Sequence, residues 1–392
     1  MDKPSLDVLD ILDLLTALVE KSLAVYEGEA GAHGRYRLSE SVRQYALDRL
    51  LESGEGGPFR QRQLAFFVEL AEAAERELKG PDQARWLDTL QTEHDNLRAS
   101  LEWSRGGDSE LRLAAALARF WMIRGYLAEG REWLKTALAA DTAAPPALRA
   151  KALTVAGHLA HIQGDLKIAR GLYEQSLAIR RDLGDSRGLA ASLHSLGIVA
   201  YAQSDYDTAR TFYSEALAIF RDCNDRDGIA HILTSLGNVA FDQRDYETSA
   251  SLYEEALEVN REIGNHALEA IVIHHLGLVA REQGERAVAK TLFKEALQLF
   301  RKLGDRSGFA ECIEGLAGLA ADSNARHAAR LYGAAERLRE EIGSPIVPND
   351  RPSYERDVLC VRNTLDPQSF SVAWAFGRAM SLDEALALAL AN

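Results

Sequence analysis

A period of forty residues constrains this chain more than any other feature. The stretch SLGIVAYAQSDYDTARTFYSEALAIFRD at 195–222 returns as SLGNVAFDQRDYETSASLYEEALEVNRE at 235–262. Self-alignment at that offset brings Gly157, Gly197, Gly237 and Gly277 into one column, with Ala317 as a degraded fifth member. Twelve residues on, Ala169, Ala209, Ser249 and Ala289 form a second small-residue column. Tyr173, Tyr213, Tyr253 and Phe293 follow one turn later, and Leu177, Leu217, Leu257 and Leu297 one turn after that. Internal repetition at such a period means stacked supersecondary units, each burying its apolar face on the next.

Spacings of three and four dominate inside every copy, so each reads as two amphipathic helices. A short polar turn separates them at Gly164-Asp165, Ser204-Asp205, Arg244-Asp245 and Gly284-Glu285, and the longer links read LGDSRG, CNDRDG, IGNHAL and LGDRSG. Two helices approach closely only where a small residue faces the partner, and the aromatic one turn on is expected to fill the space between neighbouring hairpins. With small residues at its eighth and twentieth positions and an aromatic at its twenty-fourth, the unit resembles the tetratricopeptide repeat, in an elongated form. The expected fold is therefore all-α: a tetratricopeptide-type solenoid of helical hairpins. Weaker copies precede the clear ones, since Trp133, Leu117 and Gly130 fall forty residues before Tyr173, Gly157 and Arg170.

The two ends do not repeat. LDVLDILDLLTALVEKSL reads as a helix, LAVYEGEAGAHGRYRL as a β-hairpin with a Gly-rich centre, and ESVRQYALDRLLESGE as a second helix with Ser39 placed as N-cap. That order suggests a partial winged helix. Its eleven acidic residues against six basic ones argue against reading DNA, because phosphate neutralisation needs cations. At the other end, a helix over 325–342 precedes SPIVPNDRPS, where Pro345, Pro348 and Pro352 interrupt helical structure. Asp366-Pro367 then suits a helix start, and Ser381 with Glu384 has the spacing of a capping box. The expected organisation is a winged-helix-like segment at 1–55, degenerate hairpins at 56–145, clear repeats at 146–322 and capping helices at 323–392.

LLTALVEKSL, RYRLSESVRQYALDRL, LQTEHDNLRASLEW, LYGAAERLREEIG and WAFGRAMSLDEALALAL occur in this order. That succession resembles the C-terminal part of bacterial signal-transduction ATPases of the STAND class, including LuxR- and AfsR-like regulators. The resemblance implies a winged helix leading into a repeat sensor arm, with an NTPase module ahead of both. The chain departs from that pattern in having no GxxxxGK[ST] phosphate loop. It is therefore expected to be a truncated chain, a fragment of a larger gene or a diverged short product.

Composition narrows the classes further. A net charge of -14 lacks the basic footprint of a nucleic-acid binder, and no apolar run approaches the ~20 residues a membrane span needs. Cys223, Cys312 and Cys360 lie far apart without ligand spacing, which fits reduced thiols in a cytoplasmic protein. HExxH, GxSxG and EF-hand patterns are absent, and His158 with His161 is the one pair at metal-binding spacing, without further ligands beside it. No catalytic residue, metal or cofactor is expected.

The tetratricopeptide resemblance implies that the first helix of each hairpin lines a concave groove through its second, fifth, ninth and twelfth positions. Those columns hold Lys151 and His231; His194 and His274; His158 and Asn238; and His161, Tyr201, Phe241 and Arg281. They vary from copy to copy while the packing columns hold, as a groove meeting different parts of one ligand would. Rings supply area and polar tips supply register for a bound peptide or protein segment. The expected function is thus a non-enzymatic sensor arm that binds a partner in its groove and works with an NTPase module. A free-standing repeat scaffold or peptide receptor is the alternative, and an enzyme with an unrecognised site a third.

Overall fold

The computed structural model describes residues 8–27, 34–78, 80, 82–140, 144–346 and 351–391. The first seven residues, the Gly-rich hairpin centre and Pro348 lie outside them. The described chain divides into two compact units, 1–159 and 160–392.

The first unit opens with α1 (Val8–Glu20), β1 (Ala24–Glu27), β2 (Arg35–Leu38) and α2 (Glu40–Glu52). The strands pair antiparallel from Ala24 opposite Leu38 to Glu27 opposite Arg35, and the Tyr26 and Tyr36 rings meet at 5.1 Å. Ser39 stands at the N-cap of α2 as expected, but its hydroxyl makes no capping bond. No residue of α2 is buried, and Ile11, Leu14, Val25, Tyr45 and Leu51 are exposed, so this segment leaves much apolar surface uncovered.

Six helices follow: α3 (Gly56–Glu77), α4 (Gln83–Thr92), α5 (His94–Trp103), α6 (Asp108–Arg124), α7 (Leu127–Ala139) and α8 (Pro146–Ile162). Helix α6 is the centre of this unit, with ten buried residues including Phe120 and Trp121. Gly130 of α7 faces Trp121, where a Cβ would stand 2.6 Å from the indole. This hairpin also sets a small residue against a large ring, but with the helices exchanged: the glycine is on the second helix and the ring, Trp121 rather than Trp133, on the first.

The second unit, after the last turn of α8, continues with α9 (Leu166–Leu183), α10 (Ser186–Ala202), α11 (Tyr206–Asp222), α12 (Arg226–Asp242), α13 (Tyr246–Ile263), α14 (His266–Glu282), α15 (Arg286–Leu303) and α16 (Arg306–Ala320). Helices α10, α12, α14 and α16 begin on Asp185, Asp225, Asn265 and Asp305, whose side chains accept from backbone N–H groups of the first turn. This satisfies donors that a helix start otherwise leaves open. Each turn inside a hairpin needs one left-handed residue, supplied by Gly164 and Gly284 in two copies and by Ser204 and Arg244 in the others. The small columns are fully buried, and Ser249, the polar member, donates to the Gly237 carbonyl at 3.0 Å.

The aromatic column corrects one expectation. Tyr213, Tyr253 and Phe293 each lie over the glycine of their own hairpin, Gly197, Gly237 and Gly277 respectively, rather than chiefly between hairpins. Phe293 also covers Gly315 of the following hairpin. A second column joins successive hairpins: Arg180 meets Gly188, Phe220 packs on Gly228 and Phe300 on Gly308.

The chain ends in α17 (Ala325–Ile342), α18 (Arg351–Thr364), α19 (Pro367–Arg378) and α20 (Leu382–Leu390). Asp366 and Pro367 start α19 as the sequence implies, and Ser381 and Glu384 form the capping box of α20. Helices α17 and α19 cross at Gly333 and Gly377, each of which meets the other helix's backbone too closely for a Cβ. Phe370, Ala373, Ala385, Leu386 and Ala389 join the core of the last repeats, so the tail covers the apolar face that the final hairpin would expose.

Candidate functional site

The groove columns fall in both units. In the first, Lys151 is held by Glu75, Nζ to Oε2 at 2.6 Å, and His158 is half-buried. The remaining residues lie in the second unit.

His161, near the end of α8, is half-buried, its Nδ1 has no hydrogen-bond partner, and burial lowers its pKa. His194 of α10 meets Ser235 at 3.0 Å and stacks tilted on Tyr213, while His231 of α12 is exposed and lies 6.4 Å from the His194 ring. Asn238 turns toward the packing layer, since its Oδ1 accepts from the Tyr253 hydroxyl at 2.6 Å. His194 thus links its hairpin to the next, and Asn238 ties the two helices of its own hairpin.

Tyr201, Phe241 and Arg281 hold equivalent places on α10, α12 and α14. Tyr201 is half-buried beside Tyr206, and its hydroxyl is kept protonated well beyond the ordinary phenol range, first by burial and then by Asp242. Phe241 repeats the arrangement with Tyr246, ring to ring at 5.6 Å. Where the third ring of this series would stand, Arg281 reaches instead to Asp357 Oδ2 at 3.3 Å and Ser353 Oγ at 3.0 Å, both on α18. Helix α18 thus stands as a wall beside this column of the last repeats.

Between that wall and the repeats is a cavity of about 240 Å³. Phe241, His274, Leu278 and Arg281 line one side, and Tyr332, Tyr354 and Asp357 the other. His274 is buried against Phe293, with ring centroids 5.5 Å apart. Burial lowers its pKa to about 3, with the fields of His275 and Arg281 acting in the same direction, so the ring is neutral at pH 7. On the floor, Glu314 is paired with Arg339 through two short bonds of 2.6 and 2.8 Å.

Sequence reasoning missed Asp242, Tyr246, Tyr354 and Asp357. The first two sit one residue after the column of Phe241 and at the start of the following helix, at positions whose residues vary among copies (Ala202 and Glu282 for Asp242, Tyr206 and Arg286 for Tyr246). The last two belong to α18, which carries no repeat pattern. Among the described residues no group of three His, Cys, Asp or Glu side chains is arranged to hold a metal ion, and no helix is long and apolar enough to cross a membrane.

Comparison with known proteins agrees with this architecture. Residues 148–222 and 228–302 match the tetratricopeptide repeat family. Over 203 residues the chain is 35% identical to proteins of Mycobacterium bovis and Mycobacterium tuberculosis, each named "Putative HTH-type transcriptional regulator"; the match spans 49% of this chain and 23% of each relative. Among solved structures, a Rap protein complexed with competence and sporulation factor superposes with a TM-score of 0.57 at 13% identity, over 83% of this chain and 88% of that one. A STAND protein with a tetratricopeptide repeat sensor from Pyrococcus horikoshii gives 0.52 at 16% identity, over 93% and 57%. At such identities the structural likeness concerns the fold. Residues 148–222 and 228–302 are thus tetratricopeptide repeats, in a chain similar over about half its length to HTH-type transcriptional regulators.

Proposed function

We propose that this chain is the sensor arm of a signal-transduction or transcription regulator, and that the inner face of its second unit binds a protein or peptide segment. The observation that carries the reading is the series Tyr201, Phe241 and Arg281. Equivalent positions on three successive hairpins hold two half-buried rings and then a cation beside a cavity. A row of anchors at a fixed spacing suits an extended or helical segment better than a compact small molecule. The Rap protein among the structural neighbours is itself complexed with a factor, which supports the same use of this fold.

The exposed apolar residues of α1, β1 and α2 support a second element of the proposal. That segment transmits the state of the arm to a switch module, of the NTPase kind, lying outside this chain. The arm itself has no catalytic part in this reading, and its place of action is the cytoplasm.

The test is capture of a partner from bacterial lysate, followed by its purification and titration against variants. Tyr201→Ala with Phe241→Ala should weaken the purified partner by at least about tenfold, as truncated anchors commonly do. Glu254→Ala, on an exposed outer position, should not. Loss of the partner only on mutation within residues 8–52 would reduce the repeats to a spacer and overturn the reading.

A further inference from the structure

Helix α18 is packed unlike its neighbours. Only Val361 of its fourteen residues is buried, whereas α17 buries ten, and Leu359 is exposed on its outer side. What holds its first half is a small set of directional contacts, together with Tyr354 and Val358 packed partly buried against the core of the last repeats. Arg281 reaches Asp357 and Ser353, and the Tyr354 ring meets Tyr332 edge-on at 5.3 Å. Room for the pair exists because residue 318 is glycine: a Cβ there would stand 2.9 Å from the Asp357 carboxylate and 3.1 Å from the Arg281 guanidinium.

Arg281 belongs to the column that also holds Tyr201 and Phe241, and among the described residues it is the member that bonds to the tail. The side chain best suited to recognising an incoming segment is thereby engaged by a helix of the same chain. A hydroxyl, an aromatic and a carboxylate at Ser353, Tyr354 and Asp357 lie within little more than one helical turn, facing one guanidinium and one ring. Contacts of this kind give register, while the shallow burial leaves little apolar area to resist displacement.

We propose that α18 is a displaceable occupant of the groove, and that the partner is a helical segment carrying an aromatic residue and a carboxylate one turn apart, which takes the places of Tyr354 and Asp357 on Tyr332 and Arg281. This rests on the groove reading above and gives it a chemistry. Such a segment competes with an intramolecular copy of itself, so its apparent affinity is reduced by the fraction of molecules in which α18 is seated. Partner binding then frees α18, and the tail reports occupancy of the groove.

The experiment uses the full chain and two readouts. Hydrogen exchange compares wild type with Asp357→Lys, which sets a cation against Arg281. A labelled synthetic peptide of residues 351–364 is titrated into both. Exchange in α18 should speed up by about tenfold or more with α17 unchanged, and the peptide should bind Asp357→Lys about tenfold more tightly than wild type. Adding Arg281→Ala should abolish that gain. If Asp357→Lys lowers helicity by circular dichroism, Tyr354→Ala with Ser353→Ala serves as the milder release.

Unchanged exchange in α18, equal peptide affinity for both chains, or no binding to the released chain would each overturn the proposal. The outcome is separable from that of the groove reading. A locked α18 with Tyr201 and Phe241 still needed for partner binding refutes only the occupant, whereas a freed α18 with those rings dispensable refutes the groove.

Discussion

The ring of Phe293 covers Gly277 so closely that a methyl group on that glycine would stand 2.8 Å from it, and the same ring bears equally on Gly315 of the next hairpin. One side chain therefore sets the spacing both within a hairpin and to its neighbour. Close-packed interiors do not yield such space without shifting a backbone or a rotamer.

Gly277→Ala and Gly315→Ala should each cost about 1–3 kcal/mol through overpacking. Because both act on Phe293, the double variant should depart from the sum of the two, and Phe293→Leu should relieve part of either. Urea unfolding at pH 7 measures this. Stabilities indistinguishable from wild type for both glycine variants would mean that the ring is free to move aside.

The packing of these repeats was legible because it recurs. Glycine, alanine and aromatic columns forty residues apart marked the hairpins, though not that each ring lies on its own hairpin's glycine, and the links LGDSRG, CNDRDG, IGNHAL and LGDRSG held in plain view the Asp or Asn that caps each following helix. The second column was harder to read, because the residues facing Gly188, Gly228 and Gly308 are Arg180, Phe220 and Phe300 rather than one residue type.

What could not be read was how the tail's helices pack on one another and on the repeats. Arg281 and Asp357 are 76 residues apart, and neither belongs to a pattern that names the other. Gly333 and Gly377 likewise stand in ordinary helical motifs, and only the crossing of α17 and α19 explains why neither carries a side chain. The Ser39 hydroxyl shows the opposite limit, because composition placed the cap correctly while local geometry left it unused.

The recurring caps make a graded prediction. Asp305 accepts from the N–H groups of Ser307 and Gly308, both at 3.0 Å, so Asp305→Ala should cost about 1 kcal/mol. Glu285 stands at the start of α15 without a side-chain capping bond, and Glu285→Ala should change stability by less than about 0.5 kcal/mol. Thermal unfolding of the two variants side by side checks the difference, and equal losses would show that the caps are not what orders these starts.

Acid should destabilise the second unit through His274. Its folded pKa, about 3, lies below the ~6.5 of an unfolded histidine, so the two states bind protons equally at pH 7 and unequally below it. As pH falls from about 6.5 toward 3, the unfolded chain takes up a proton that the folded chain refuses, and stability is lost across that window. His274→Leu should flatten the fall in urea midpoint between pH 6.5 and 4.5. An unchanged slope would show that other groups govern the acid transition.

The pair Glu314 and Arg339 tests how the cavity floor is held. Both side chains are nearly buried, at 14% and 10% exposure, and joined by two short bonds, so salt screens them little. Removing Glu314 takes two short charged bonds from a poorly solvated guanidinium that keeps Glu311 at 4.0 Å and the Ser344 carbonyl at 3.3 Å, and Glu314→Ala should cost about 1.5–3 kcal/mol. Replacing both by apolar residues of similar volume, Glu314→Leu with Arg339→Met, removes the buried cation together with the attraction, and should recover part of the loss. Arg301 and Asp383 provide the contrast. They meet at 2.6 Å but are 45% and 77% exposed, and Asp383→Ala should cost less than about 1 kcal/mol and less still at high salt. Urea midpoints in low and high salt for these variants decide the matter. A Glu314→Ala loss as small and as salt-sensitive as that of Asp383→Ala would mean that water reaches the cavity floor and that Arg339 is not held there by its partner.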